Sequence, residues 1–306
     1  MESQFVWMDG ALVATDKATV PFLTAGFHYG IAVFEGIRAY ATPRGPAVFR
    51  LRDHLRRFED SARILGFLDL PYSIDDLARA TRDTVRANGY DECYIRPLIW
   101  LGDGGWNLTL DTGKPLVGIA VWKESVYLGQ HAPTRGLRAK VSSYPRHHPG
   151  ATMTKAKISG NYVNSVMAKT EAQRLGFDEA ILLDPEGYVT ECTGANLFLV
   201  RGGKLVTPPV DAILEGITRS TVAALAEDLG IGVQESRLTR DHLYVADEAF
   251  VCGTAAEVVG ISEIDHRKIS GGVTGPITMQ LRQAYADAVH GRHARSADWL
   301  EPIGNR

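Results

Sequence analysis

The sequence predicts a mixed α/β chain built as two domains. Three observations carry this: two β-hairpin signatures near the start, two amphipathic helical periods after them, and a second series of strands from residue 137. In "FVWMDGALV" an Asp-Gly turn separates β-rich arms, and in "GIRAYATPRGPAVFRL" a Pro-Arg-Gly-Pro turn does the same. Within "RLRDHLRRFEDSAR" and just beyond it, Leu51, Leu55, Phe58, Ala62 and Leu65 recur every three or four residues, so a helix over 51–66 turns that stripe to the core. Arg57 lies beside the stripe, where the plain reading is a half-covered surface arginine. A second helix covers 73–88. "CYIRPLIW" and "LVGIAVWK" are further strands, joined by the turn-rich "LGDGGWNLTLDTGKP", a loop suited to covering a pocket. These elements form a first domain over 1–123. Residues 124–136, "ESVYLGQHAPTRG", lack either periodicity and read as a linker, which leaves 137–306 as the second domain.

The second domain opens with the strand of "LRAKVSSYP". In "YVNSVMAKTEAQRLGF", Val163, Val166, Met167 and Leu175 fall on one face of a helix ending at Gly176. "AILLDPEGYVTECTGANLFLV" is a strand, a Pro-Glu-Gly turn and a returning strand, with a further arm in "LVTPP" after "RGGK". Glu191 interrupts the returning strand, where acids are depleted, so it is either an outward-facing solvated residue or a charge kept for a cationic partner. In "LEGITRSTVAALAEDLG", Gly216 precedes a helix whose first residues, Ile217 and Thr218, offer free amides, a hydroxyl and the positive end of the helix dipole. Such a start can hold an anion, although most helices that begin with Thr are simply capped. "VCGTAAEVVG" runs a strand into Gly253, Thr254 and Ala255, whose amides can likewise hold a carboxylate or phosphate.

Composition excludes several functions. The chain of 306 residues is 45% hydrophobic and 23% charged, with a net charge of -3, so it has no bulk field for a polyanion, and nucleic acid is not an expected partner. No apolar run approaches the ~20 residues of a membrane helix. The opening "MESQFVWMDG" lacks the basic and then apolar pattern of a secretory signal, and three scattered cysteines, Cys93, Cys192 and Cys252, have no CxxC spacing. A reducing cytosol and no metal site are expected. The histidines of "RHHPG" and "HGRH" read as solvated loop residues, and His28 as a structural hydrogen-bonding one.

"TMTKAKISGNYVNS" sets Lys155 and Lys157 two residues apart before a helix-like run. A lysine, an acid inside a strand, an arginine and a helix-terminal anion cradle are together what pyridoxal 5'-phosphate requires: an amine to hold it, a carboxylate for its pyridine nitrogen, and cations and amides for its phosphate. A lysine must be neutral to attack, and its free pKa of about 10.4 has to be lowered by burial or neighbouring charge. At this level of detail the chain resembles the branched-chain amino acid aminotransferases of the class IV, or fold-type IV, pyridoxal-phosphate enzymes. The motifs that carry the resemblance are "HYGIAVFEGIRAY" (28–40), "YIRPL" (94–98), "KISGNYVNS" (157–165), "YVTECTGANLF" (188–198), "LEGITR" (214–219) and "CGTAAEV" (252–258). They span nearly the whole chain.

The resemblance implies a smaller N-terminal α/β domain and a larger C-terminal domain with a barrel-like sheet, the cofactor lying at their interface. It implies that Lys157, three residues before Gly-Asn-Tyr, forms the Schiff base and moves the α-proton, while Lys155 is a bystander. Tyr162 would support the ring oxygen and Glu191 the pyridine nitrogen. Arg57, Gly216, Ile217, Thr218 and Thr254 would hold the phosphate. Tyr29, Phe34, Tyr94, Arg96 and Tyr127 would line the substrate pocket, with Thr254 and Ala255 receiving the α-carboxylate. Phe34, Tyr94 and Trp122 suit leucine, isoleucine and valine, and Arg96 suits the distal carboxylate of glutamate. The implied partners are amino acids, 2-oxo acids and at least one further copy of the chain. In "ECTGANLF", Cys192 and Ala195 stand where the family more often has glycine and glutamate. Other activities on the same scaffold, (R)-selective amine or D-amino acid transamination, remain as alternatives, and outside enzymes so does a noncatalytic cofactor-binding protein.

Overall fold

A computed structural model describes residues 3–104, 108–111, 113–123 and 135–304. Residues 124–134 of the expected linker, Tyr127 among them, lie outside the described residues, as do 105–107 and 112 of the expected pocket loop. The chain divides into two compact units. Unit 1 is Met1–Ser125 with Ala156–Gly160 and Ala288–Arg306; unit 2 is Val126–Lys155 with Asn161–Asp287. This differs from one cut at the linker, because two later segments belong to unit 1, and the reason is local. Ala156 and Ile158 are buried in the unit 1 core, and the C-terminal strand pairs inside its sheet.

Unit 1 is an antiparallel sheet with helices packed on it. Its strands are β1 (Phe5–Met8), β2 (Ala11–Ala14), β3 (Ala32–Phe34), β4 (Ile37–Tyr40), β5 (Ala47–Phe49), β6 (Cys93–Gly104), β7 (Gly113–Trp122) and the last strand of the chain, Leu300–Pro302. The order runs Leu300–Pro302, β5, β4, β6, β7, β1, β2, with β3 also paired to β6. The first hairpin forms at the expected turn, with positive φ at Asp9 (41°) and Gly10 (96°), the geometry of a tight turn that matches strand twist. The β6/β7 ladder extends to Gly104↔Gly113, so the connection is shorter than the sequence suggested. Helices α1 (Ala25–Tyr29), α2 (Leu51–Leu65) and α3 (Ile74–Asn88) are present, the last two over the expected spans. A reciprocal Ser73–Asp76 capping box sets the start of α3. Leu55 and Phe58 of α2 and Leu77 and Val85 of α3 pack in one core with Ile95, Ile99 and Ile119 of the sheet.

Among the described residues, unit 2 has the strands β8 (Leu137–Val141), β9 (Glu179–Leu183), β10 (Val189–Cys192), β11 (Asn196–Arg201), β12 (Lys204–Thr207), β13 (Val233–Glu235), β14 (Glu248–Gly253), β15 (Glu257–Ile264) and β16 (Arg267–Lys268). They run in the order β10, β9, β8, β15, β14, β11, β12, β13, with β16 on β15. The single returning strand expected over 188–200 is in fact two strands, β10 and β11, which follow one another in sequence yet stand five steps apart in the sheet. At ~4.8 Å per step a flat sheet would separate them by about 24 Å, more than the roughly 14 Å that the connection at 193–195 can reach. The sheet therefore curls until β10 meets β11, where Cys192 N donates to Ala195 O at 2.8 Å. This is the expected barrel-like domain, and Leu137, Ala139, Ile181, Leu197, Val251 and Ile261 pack in its core.

Helix α4 (Tyr162–Arg174) has the expected span, but its buried residues are Ser165, Ala168 and Ala172, and Val163, Val166, Met167 and Leu175 are exposed. The small face is the one that packs inward: Ala168 and Ala172 form a buried cluster with Phe177, Ala180 and Leu182. Helix α5 (Ile217–Asp228) starts after Gly216 as expected and buries Val222 and Leu225, but not Leu229. A short helix α6 (Arg240–Tyr244) and α7 (Pro276–Val289) complete the larger elements. Among the described residues no helix is long and apolar enough to cross a membrane.

Candidate active site

Within unit 1, α2 presents His54, Arg57 and Ser61 on one face, since residues three, four and seven apart align on a helix. Ser61 is fully buried, and its Oγ accepts from the Lys157 backbone N–H at 3.0 Å. The Lys157 carbonyl accepts from Phe34 N at 3.1 Å, and Val33 bridges to Ile158, so the lysine segment is laced to β3. This fixes where Lys157 starts. Its Nζ stands 4.9 Å from the Phe34 ring centroid.

The Arg96 guanidinium lies against the same ring, 4.6 Å from its centroid, and also 5.3 Å from that of Tyr94 and 5.7 Å from that of Trp122. Tyr94 and Trp122 are cross-strand partners on β6 and β7, which brings their ring centroids 5.0 Å apart. Arg96 Nη2 donates to Tyr94 Oη at 3.2 Å, while its Nε is buried without a hydrogen-bond partner among the described residues. Gly36 is required by Tyr94: a Cβ there would come 2.1 Å from the phenol oxygen. Tyr29 ends α1 and is exposed, and it is its neighbour Gly30 that contacts the lysine segment, accepting from Gly160 N at 3.3 Å.

Arg57 is not the half-covered surface residue of the plain reading. Its Nε and Nη2 donate to the two carboxylate oxygens of Glu35 at 2.7 and 2.9 Å, and Glu35 is fully buried. His54 Nδ1 approaches the same carboxylate at 2.7 Å. Burial alone would raise the Glu35 pKa, but the Arg57 charge and the His54 hydrogen bond override it and hold the carboxyl far below its usual range. His54 is lowered, burial being the largest cause, and is therefore neutral with its proton on Nδ1. Sequence reading missed Glu35, although an acid inside the apolar run "AVFEGI" is the same signal that singled out Glu191.

In unit 2, Glu191 is buried on β10 and is not a solvated residue. Arg146 Nη2 pairs with its Oε1 at 2.7 Å, and its Oε2 accepts from Asn196 Nδ2 at 3.2 Å and Leu214 N at 3.3 Å. The strand acid is thus a charge held by a cation, as its placement allowed. Asn196 Nδ2 also donates to Leu214 O at 3.1 Å, which ties the start of β11 to the turn before α5. A Cβ on Gly216 would lie 1.9 Å from Asn196 Oδ1, so only glycine fits there. Asn196 pairs with Cys252 across the β11/β14 ladder, and Gly253, the next residue, lies against Gly194 and Ala195 before the chain turns at Thr254 and Ala255. Through Asn196, Glu191 is thus linked to the turn at Leu214 and Gly216 and to the end of β14 at Cys252, while Ile217 and Thr218 open α5 and Thr254 and Ala255 follow β14. Tyr162 is the first residue of α4. Arg146 and Asn196 were not picked out from sequence; nothing in "RHHPG" marks the arginine, and Asn196 is an ordinary member of its motif.

Lys155 donates to Val210 O at 2.8 Å and pairs with Glu215, a plain surface role that suits the second lysine. Arg146 Nη1 contacts His147 Nδ1 at 2.9 Å, and burial followed by the Arg146 charge lowers the His147 pKa to about 4. Burial pushes the Cys93 and Cys252 thiols up to about 12 and Cys192 well above its usual value.

Each unit carries groups whose chemistry fits pyridoxal phosphate: unit 1 an amine on an anchored backbone and an immobilised arginine, unit 2 a buried carboxylate suited to a protonated ring nitrogen and a glycine-led helix start suited to a phosphate dianion. A family model, "Amino-transferase class IV", matches residues 32–264. A branched-chain-amino-acid aminotransferase of Pseudomonas aeruginosa is 47% identical over 96% of this chain and 95% of its own length. One from Escherichia coli is 41% identical over 99% and 98%. Among solved structures, an Escherichia coli branched-chain amino acid aminotransferase superposes with a TM-score of 0.96 at 40% identity, covering 99% of this chain and 100% of that one. The branched-chain amino acid aminotransferase of Thermobaculum terrenum in its PLP-form gives 0.92 at 38% identity, covering 99% of each chain. From the fold, the residues it gathers and these likenesses, the chain belongs to the branched-chain-amino-acid aminotransferases of the class IV amino-transferase family.

Proposed function

We propose that this protein transfers amino groups between branched-chain L-amino acids and 2-oxoglutarate, with pyridoxal 5'-phosphate as cofactor. The observation that carries the reading is the Arg96 guanidinium set among the rings of Phe34, Tyr94 and Trp122, with Lys157 Nζ on the same Phe34 ring. Apolar ring faces receive a branched side chain, and the guanidinium, already stripped of some of its hydrogen bonds, receives the second carboxylate of glutamate. One lining thereby serves both substrates.

Bound pyridoxal phosphate supplies an electron sink that permits cleavage of the substrate Cα–H bond. Lys157 Nζ would hold the cofactor and, once its amine is free, would take and return the substrate α-proton as general base and acid. Glu191, paired with Arg146, would face the ring nitrogen and hold its proton. Tyr162 donates to the ring oxygen. Arg57, the amides of Ile217 and Thr218 behind Gly216, and Thr254 hold the phosphate, and Thr254 and Ala255 hold the substrate α-carboxylate. Tyr29 completes the lining, and Tyr127 is assigned there on the resemblance alone.

Self-association is part of the proposal. Phe22 and Phe27 are 73% and 68% exposed and pack edge to face with each other and with His28, and α4 exposes Val163, Val166 and Met167. Apolar faces of this kind mark interaction surfaces. Phe27→Asp is expected to lower the mass measured by light scattering. The three buried free cysteines support a reducing compartment, the cytosol.

The test is to mix the cofactor-loaded protein separately with L-leucine, L-glutamate, D-alanine and (R)-1-phenylethylamine and follow the visible band of bound cofactor, with Lys157→Ala as control. Bleaching by the first two supports the reading. Bleaching mainly by D-alanine or the amine transfers the function to the alternative activity, and no band at all in the loaded protein points to a noncatalytic binder.

A further inference from the structure

We infer that Glu35 is the positioning residue for the phosphate-binding arginine: its carboxylate clamps two nitrogens of the Arg57 guanidinium and thereby fixes the orientation of the whole group. The inference rests on the proposed reading of Arg57 as a phosphate ligand. A free arginine side chain samples many rotamers, and ordering it on binding costs affinity. Here Glu35 accepts from Nε and Nη2 at 2.7 and 2.9 Å, a fork-to-fork geometry that leaves one orientation of the guanidinium. The carboxylate is itself fixed. Its Oε2 also accepts from His54 Nδ1 at 2.7 Å and Gly36 N at 3.2 Å, and Glu35 N donates to Pro97 O at 3.0 Å. Both Glu35 and His54 are buried, so neither is placed to meet substrate.

Charge balance argues for the same role. A lone carboxylate at zero exposure is costly, and it is tolerated here because Arg57 neutralises it. Compensated by Glu35, the Arg57 guanidinium is not a bare buried cation in the apo protein, and its contribution to holding a dianion is directed N–H groups of fixed orientation rather than net charge. His54 sits one turn before Arg57 on α2 and stays neutral, so it aligns the carboxylate without competing for the charge. Ser61, one turn further along, carries the Lys157 backbone. One helix therefore sets the register of both the phosphate ligand and the amine.

The test compares pyridoxal 5'-phosphate with pyridoxal, which lacks the phosphate, by titrating the apo protein and following the visible band of the bound aldehyde. Glu35→Gln is expected to weaken binding of the phosphorylated form by roughly 10- to 100-fold, the scale of a lost charge-assisted hydrogen bond, and to leave pyridoxal binding unchanged. In an Arg57→Lys background the same substitution should have no further effect on the ratio of the two affinities. Thermal melting of each apo variant checks folding, and Glu35→Asp, which keeps the charge and shortens the reach, is read in the same way if Glu35→Gln does not fold. Equal weakening of both ligands, or of neither, overturns the positioning role. If Arg57→Lys itself leaves the ratio unchanged, the reading of Arg57 falls and the inference with it.

Discussion

Single residues in this protein are tuned more by what surrounds them than by their type. Three thiols are buried with raised pKa values, so Ellman's reagent should leave all three unlabelled in the native protein and titrate them only after denaturation. Rapid labelling of one would place it at the surface. His147 presents a pH dependence with a definite sign. Its folded pKa of about 4 lies below the ordinary value near 6.5, so the unfolded chain takes up the proton first. Stability is present above about pH 6.5 and is lost as pH falls toward 4. His54 is lowered too and acts in the same direction. Melting temperatures measured between about pH 7.5 and 5 should fall, and His147→Asn should reduce the slope; an unchanged slope contradicts the assignment.

At the level of elements, ends and turns carry the function. Glu248 caps α7 by accepting from Ile277 N at 2.9 Å, Thr278 N at 2.8 Å and Thr278 Oγ1 at 2.7 Å, although it is buried on β14. Glu248→Ala should destabilise the protein by about 1–3 kcal/mol in denaturant unfolding, the range for losing a helix cap and leaving buried donors unpaired. A cost near zero would mean that water replaces the carboxylate. Gly216→Ala should also act on the cofactor, because its Cβ meets Asn196, which holds both Glu191 and the turn at Leu214. Weaker retention of pyridoxal phosphate on dialysis, together with a lower apo melting temperature from the displaced Asn196, is the expected outcome; unchanged retention contradicts it. These elements also mark what the sequence can tell. The α2 stripe and the start of α3 at Ser73 are local signals and read correctly, because helical period and capping need no tertiary information. The face of α4 does not read correctly, since alanines turn inward only where the neighbouring β9 and Phe177 come close.

On the scale of the molecule, the curl of the unit 2 sheet follows from one short connection between β10 and β11. Sequence reading merged those strands into one, since nothing local distinguishes 193–195 from strand. The candidate site was legible where a residue stands out against its surroundings, as with Glu191 in a strand and Gly216 ahead of a helix, whereas the choice of Lys157 over Lys155 came from the resemblance of "KISGNYVNS" and belongs to the proposed reading. The site was not legible where the meaning of a residue depends on a distant partner, as with Arg146 against Glu191 and Glu35 against Arg57. In the proposed reading Lys157, and not Lys155, holds the cofactor. Borohydride reduction of the loaded protein, which fixes the cofactor covalently to its lysine, followed by peptide mass mapping, tests this most directly. The added mass is expected on Lys157 alone; the same mass on Lys155, or on no lysine, would overturn the assignment.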